Sequence, residues 1–69
     1  MENHQLAQRV RAFRKLKGYT QQELAKVLGV SVAVLGSLER GTRKPDDRLM
    51  TNIANTLGIS YEELMDTES

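Results

Sequence analysis

The sequence has no cysteine, one proline, one histidine and only three Phe or Tyr rings. Without cysteine there is neither a disulfide framework nor a thiolate metal site. The lone histidine, His4, stands in the polar opening MENHQ, and it is expected to be solvated. No apolar run approaches the roughly 18 residues that a membrane-spanning helix needs. The opening is neither basic nor apolar, so no signal peptide is expected and the chain is assigned to the cytoplasm. Nor does a nucleophile–base pair or a cluster of metal ligands appear, which argues against an enzyme, a cofactor or a small-molecule ligand. The 69 residues are expected to form one domain, residues 1–69. A chain this short buries only about 60% of its unfolded surface, which leaves little room for a substrate cleft.

Net charge is also nearly absent, at +1, but its distribution is uneven. From Arg9 to Pro45 there are nine basic and two acidic residues, whereas from Asp46 onward there are one basic and six acidic. A polyanion would be drawn to the first part and repelled by the second, which orients an encounter as well as strengthening it.

Helical punctuation is what the sequence has most of. Leu6, Val10 and Phe13 recur at helical spacing, so a first helix is expected from near Asn3 or Gln5 to Lys17, ended by Gly18. Thr20 and Glu23 form a T-x-x-E capping box that opens a second helix, with Leu24, Ala25 and Leu28 on its apolar face. Gly29 suits a left-handed turn, Val30 points back inward, and Ser31 offers the next N-cap oxygen. A third helix from about Val32 carries Leu35 and Leu38 inward and stops at Gly41. Pro45 and Asp46 begin a fourth helix with Leu49, Ile53 and Leu57 buried. After Gly58 and Ile59, Ser60 and Glu63 form a second box, opening a short fifth helix that carries Leu64. Asp66 to Ser69 are expected to fray.

Two short helices joined by a glycine-containing turn, about residues 20–41, make a helix-turn-helix, whose second helix has the right diameter for the DNA major groove. Thr20-Gln21, Leu24-Ala25, Leu28-Gly29-Val30-Ser31, Leu35, Glu39, Gly41 and Pro45 together resemble the signature of the lambdoid phage repressor and Cro family, also called the Xre family. The resemblance runs from about Val10 to Leu64. It implies an all-α fold, a compact five-helix bundle of the phage-repressor type that binds double-stranded DNA.

Residue by residue, the resemblance implies that Arg14 pairs with Glu39 and ties the first helix to the third. Gln21, with Thr20 beside it, falls where the family contacts a DNA phosphate. Arg43 and Lys44, then Arg40 and Thr42, are the further phosphate contacts. The base-reading positions map onto Val32, Ala33 and Ser37. None of these three can make a bidentate hydrogen bond to a purine, so thymine-methyl contacts and one hydroxyl remain, and an A/T-rich operator is expected. Gly36 costs about 1 kcal/mol relative to alanine in mid-helix, and it suits a close approach either to the second helix or to phosphate. Family dimer surfaces map onto Met50, Tyr61, Met65 and Leu57.

The expected function is thus transcriptional regulation, as a repressor bound as a homodimer to a near-palindromic site. Control would come from protein concentration, dimerisation or a regulatory protein partner. The alternative is a protein-interaction module, antitoxin-like or antagonist-binding, with weak or lost DNA binding and with Leu16, Val27 and Val34 facing its partner.

Overall fold

A computed structural model describes residues 3–65. The tail expected to fray lies outside that range. Five helices follow one another: α1 (Asn3–Leu16), α2 (Gln21–Leu28), α3 (Val32–Arg40), α4 (Asp47–Leu57) and α5 (Tyr61–Met65), with no strand among the described residues. Their boundaries are set by local chemistry. At the start of α2 both halves of the capping box are made, Glu23 N–H donating to Thr20 Oγ1 and Thr20 N–H to Glu23 Oε1, each at 3.0 Å. Ser31 Oγ accepts from Val34 N–H at 3.1 Å, and the Asp46 carboxylate accepts from the backbone of both Arg48 and Leu49. Asp46 is therefore the N-cap of α4 and stands in extended backbone, one residue outside the helix it was expected to begin. Ser60 Oγ accepts from Glu63 N–H at the head of α5.

At the far end of α3, Gly41 adopts φ +77° and sends its N–H to Leu38 O, while Thr42 N–H reaches Ser37 O at 3.0 Å. This pair of reversed bonds is the Schellman stop, and its left-handed residue favours glycine.

Leu6 and Val10 of α1, Leu24 of α2, Leu35 and Leu38 of α3, Met50, Ile53 and Leu57 of α4, and Leu64 of α5 are buried together. Ala7, Ala25 and Ala54 are buried as well, small side chains that leave room for neighbouring helices to approach. Phe13, Leu28, Val30, Leu49 and Ile59 pack at the margin. The apolar stripe of α4 is Met50, Ile53, Ala54 and Leu57, at i, i+3, i+4 and i+7, which keeps the expected Ile53 and Leu57, adds Met50 and Ala54, and leaves Leu49 half-buried at its edge.

That packing corrects the expected dimer surface. Met50 is fully buried and Leu57 is 2% exposed, so neither side chain is available to a second copy. Both complete the core instead. Tyr61 remains exposed and Met65 half-buried.

A further tie was not foreseen. Arg9 Nε donates to Leu64 O at 3.0 Å and its Nη2 to Glu63 O, while the guanidinium lies 5.5 Å from the centre of the Phe13 ring. The last carbonyls of a helix lack intrahelical partners, and a cation there is favourable. Arg9 thus joins α1 to α5.

Candidate nucleic-acid interface

The third helix is held from beneath by a charged centre. Arg14 of α1 donates from Nε to Glu39 Oε2 at 2.7 Å and from Nη2 to Glu39 Oε1 at 3.0 Å, a bidentate pair. Its remaining nitrogen, Nη1, donates to Tyr19 O at 2.8 Å, and Gln21 Nε2 donates to Glu39 Oε1 at 3.0 Å. Helices α1, α2 and α3 therefore meet on a single carboxylate. The side chains of Arg14 and Glu39 are only 9% and 2% exposed, and no buried side-chain nitrogen or oxygen among the described residues lacks a partner. The expected ion pair is present, and Gln21, expected only as a phosphate ligand, belongs to its shell as well.

Anchored in this way, α3 has a distinct inner and outer side. Leu35, Leu38 and Glu39 are buried, whereas Val32 is 40% exposed, Ala33 and Arg40 are exposed, and Ser37 is half-exposed. Ala33, Ser37 and Arg40 recur at i, i+4 and i+7, so they follow one another along one face. The three expected base-reading side chains, Val32, Ala33 and Ser37, are thus brought together on the open side. Val34, expected to be exposed, is half-buried; it lines a groove of about 280 Å³ with Leu28, Val30, Leu49 and Arg43.

Beyond α3 the loop is latched to the helix. Thr42 donates its hydroxyl as well as its N–H to Ser37 O, at 3.2 and 3.0 Å. Its hydroxyl proton is therefore engaged within the protein, and its part at the surface is to fix the loop that presents Arg43 and Lys44. Both of these are exposed. At the other end of the unit, Thr20 is exposed but its oxygen caps α2, and Gln21 is half-buried at the first turn of that helix. Among the nine basic residues between Arg9 and Pro45, Arg9 and Arg14 serve internal contacts. Arg11, Lys15, Lys17, Lys26, Arg40, Arg43 and Lys44 remain exposed, so the cationic surface outlasts the internal pairing.

Tyr61 bonds within the protein, its hydroxyl donating to Asp47 Oδ1 at 2.8 Å and tying the start of α5 to the start of α4. That hydrogen bond raises the pKa of the phenol above its ordinary value of 10.0, with slight desolvation and the negative charge of Asp47 acting in the same direction.

Residues 10–64 match the family described as Helix-turn-helix, HTH_3. The chain belongs to the helix-turn-helix family of transcriptional regulators. It is similar to the uncharacterized HTH-type transcriptional regulator YazB of Bacillus subtilis, 50% identical over 68 residues that cover 99% of each chain. It is 34% identical over 62 residues to the transcriptional regulator SinR of Bacillus subtilis, covering 88% of this chain but 56% of SinR. Among solved structures it resembles the restriction-modification controller protein C.AhdI of Aeromonas hydrophila, with a TM-score of 0.88 and 31% identity over 93% of this chain and 97% of that one. It also resembles SinR, described as the master regulator for biofilm formation, in complex with DNA: TM-score 0.83, 34% identity, 88% of this chain and 98% of that one. SinR bound to SinI gives a TM-score of 0.85 at 33% identity over 90% of this chain and 61% of that one.

The helix-turn-helix anticipated at residues 20–41 is thus α2 and α3 of an Xre-type fold, and this family comprises DNA-binding regulators of transcription rather than enzymes. Among the described residues, no helix is long and apolar enough to cross a membrane.

Proposed function

We propose that residues 1–69 act as one DNA-binding domain in the cytoplasm, a homodimeric repressor that occupies a near-palindromic, A/T-rich operator. The observation that carries this reading is the face of α3: Val32, Ala33 and Ser37 stand open together on a helix whose opposite side is fixed by the Arg14–Glu39–Gln21 centre. A helix held rigidly and exposed along one side can enter the major groove without reorganising. Val32 and Ala33 offer apolar contact to thymine methyls, and the Ser37 hydroxyl can donate or accept. Little hydrogen-bond discrimination is available per base, so the reading assigns the remaining selectivity to groove width and deformability. Gln21, Arg40, Arg43 and Lys44 hold the backbone and set register; Thr20 and Thr42 shape the two ends of that cationic surface. Two copies related by a dyad would read half-sites roughly 34 Å apart, with Tyr61 and Met65 at the contact between them.

The experiment is selection from a random duplex pool at about 150 mM salt, where nonspecific electrostatic binding is weakened. Enrichment of an A/T-rich palindrome is the expected result. A folded protein that enriches no sequence would overturn specific reading by α3. The second reading, a protein-interaction module, draws support from Leu16 at 73% and Val27 at 60% exposure, large apolar side chains outside the core. Tight association with a regulatory protein in the absence of any duplex affinity would favour it.

A further inference from the structure

Gly36 lies in the middle of α3, buried, although a helix interior disfavours glycine. Its φ is not in the left-handed region, so backbone geometry does not require it. What surrounds it is informative. A Cβ added at this position would lie 3.3 Å from Arg40 Nη1, 3.8 Å from Gln21 Oε1 and 3.9 Å from Gln21 Nε2. The guanidinium of Arg40 therefore folds back along its own helix onto the bare backbone of Gly36, its Nη2 leaning toward Ser37 Oγ at 3.5 Å. On the same spot sits the amide of Gln21 from the neighbouring helix. Each of the two side chains has donors to spare. Gln21 Nε2 gives one N–H to Glu39 Oε1 and keeps a second, and Arg40 Nη1 has no protein acceptor among the described residues.

We propose that the absent side chain at Gly36 is what allows Arg40 to join Gln21 as a two-donor clamp on a single DNA backbone phosphate, which makes Gly36 a positioning residue for DNA binding. The inference rests on the DNA-binding reading above. Two donor groups within 4 Å of one point are close enough for the oxygens of one phosphate to meet both. The planar guanidinium suits such an anion, and the charge-assisted bonds would be the strong ones. Glu39 takes part indirectly: by accepting one N–H of Gln21 it fixes which way the amide faces. At 3.3 Å a methyl on residue 36 pushes the flexible tip of Arg40, an exposed side chain, aside by a few tenths of an ångström rather than moving backbone, so the helix tolerates it while the two donors lose their common setting.

The test is a double-mutant cycle of Gly36→Ala and Arg40→Ala, read by fluorescence anisotropy on a mixed-sequence duplex across a salt series. Gly36→Ala is expected to melt no lower than the wild type and to lose about threefold in affinity with the salt slope kept, because Arg40 shifts but retains its charge. In the Arg40→Ala background the same substitution should change affinity by less than about twofold, since nothing remains to displace. Gly36→Ala with wild-type affinity, or an equal loss in both backgrounds, overturns the clamp while leaving DNA binding intact. Were Gly36→Ala to destabilise the fold, Arg40→Lys decides: it keeps the charge but not the planar fork, and wild-type affinity in that variant refutes the clamp. A wild-type protein with no salt-dependent duplex binding overturns the DNA-binding reading and the clamp with it.

Discussion

Removing Arg14 should unfold the domain before it touches DNA recognition. In Arg14→Ala the Glu39 carboxylate, 2% exposed, loses two hydrogen bonds and its counter-charge, and Tyr19 O loses its donor as well. Gln21 Nε2 alone would continue to serve Glu39. Breaking a buried pair from one side costs about 3–5 kcal/mol, because a desolvated charge is left behind. Small domains are stable by roughly 0.05–0.15 kcal/mol per residue, so at 69 residues that loss is a large fraction of the whole or all of it. A change of 1 kcal/mol moves the melting temperature of so small a domain by about 4–8 °C, and the expected fall therefore exceeds about 12 °C. Urea titration followed by circular dichroism gives the free energy directly, provided that the slope against denaturant is preserved. The double variant Arg14→Met with Glu39→Leu, which removes both charges together, should recover much of the loss. An unchanged melting temperature in Arg14→Ala would refute the reasoning, since it would mean that the pair contributes nothing to the folded state.

Arg43→Ala and Lys44→Ala should each lower the salt slope of DNA binding by about 1, to the same degree on every duplex, and a loss confined to one operator would show that the residue reads bases instead. Tyr61→Glu combined with Met65→Glu should leave a folded monomer; an undiminished dimer in sedimentation velocity would remove that surface from consideration. The phenol of Tyr61 should titrate above its ordinary value of 10.0 in ultraviolet difference spectra, and Asp47→Asn should bring it down. Because its folded-state pKa is raised, what this group contributes to stability is fully present below the unfolded value of 10.0 and is lost as pH rises through the folded one, so neutral pH leaves it unchanged.

Thr20, Ser31, Gly29, Gly41 and Gly58 could be read from the chain because a cap or a left-handed stop is a transaction between near neighbours. The Arg14–Glu39 pair, 25 positions apart, was legible only through the resemblance to a family, since spacing alone does not bring those two side chains together. The inner stripe of α4 was legible at Ile53 and Leu57 but not at its first turn. Leu49 and Met50 are adjacent apolar residues, and which of them faces inward depends on where α2 and α5 lie. The role of Arg9 was hidden for a similar reason: its partners are carbonyls 54 and 55 positions away, which carry no residue-type signal. Gly36 announced itself as costly in mid-helix, but only the folded neighbours show that the space above it holds Arg40 and Gln21.

The division of labour around α3 bears on how such a protein diversifies. Leu35, Leu38 and Glu39 hold the helix to the rest of the fold, while the side chains of Val32, Ala33 and Ser37 make no hydrogen bond to another helix. Surface positions of the second kind usually change stability by less than about 0.5 kcal/mol when substituted. On the base-reading role proposed for these three residues, a lineage can drift through new operators one position at a time, each intermediate still folded, and an engineer can rewrite the same three letters without redesigning the scaffold.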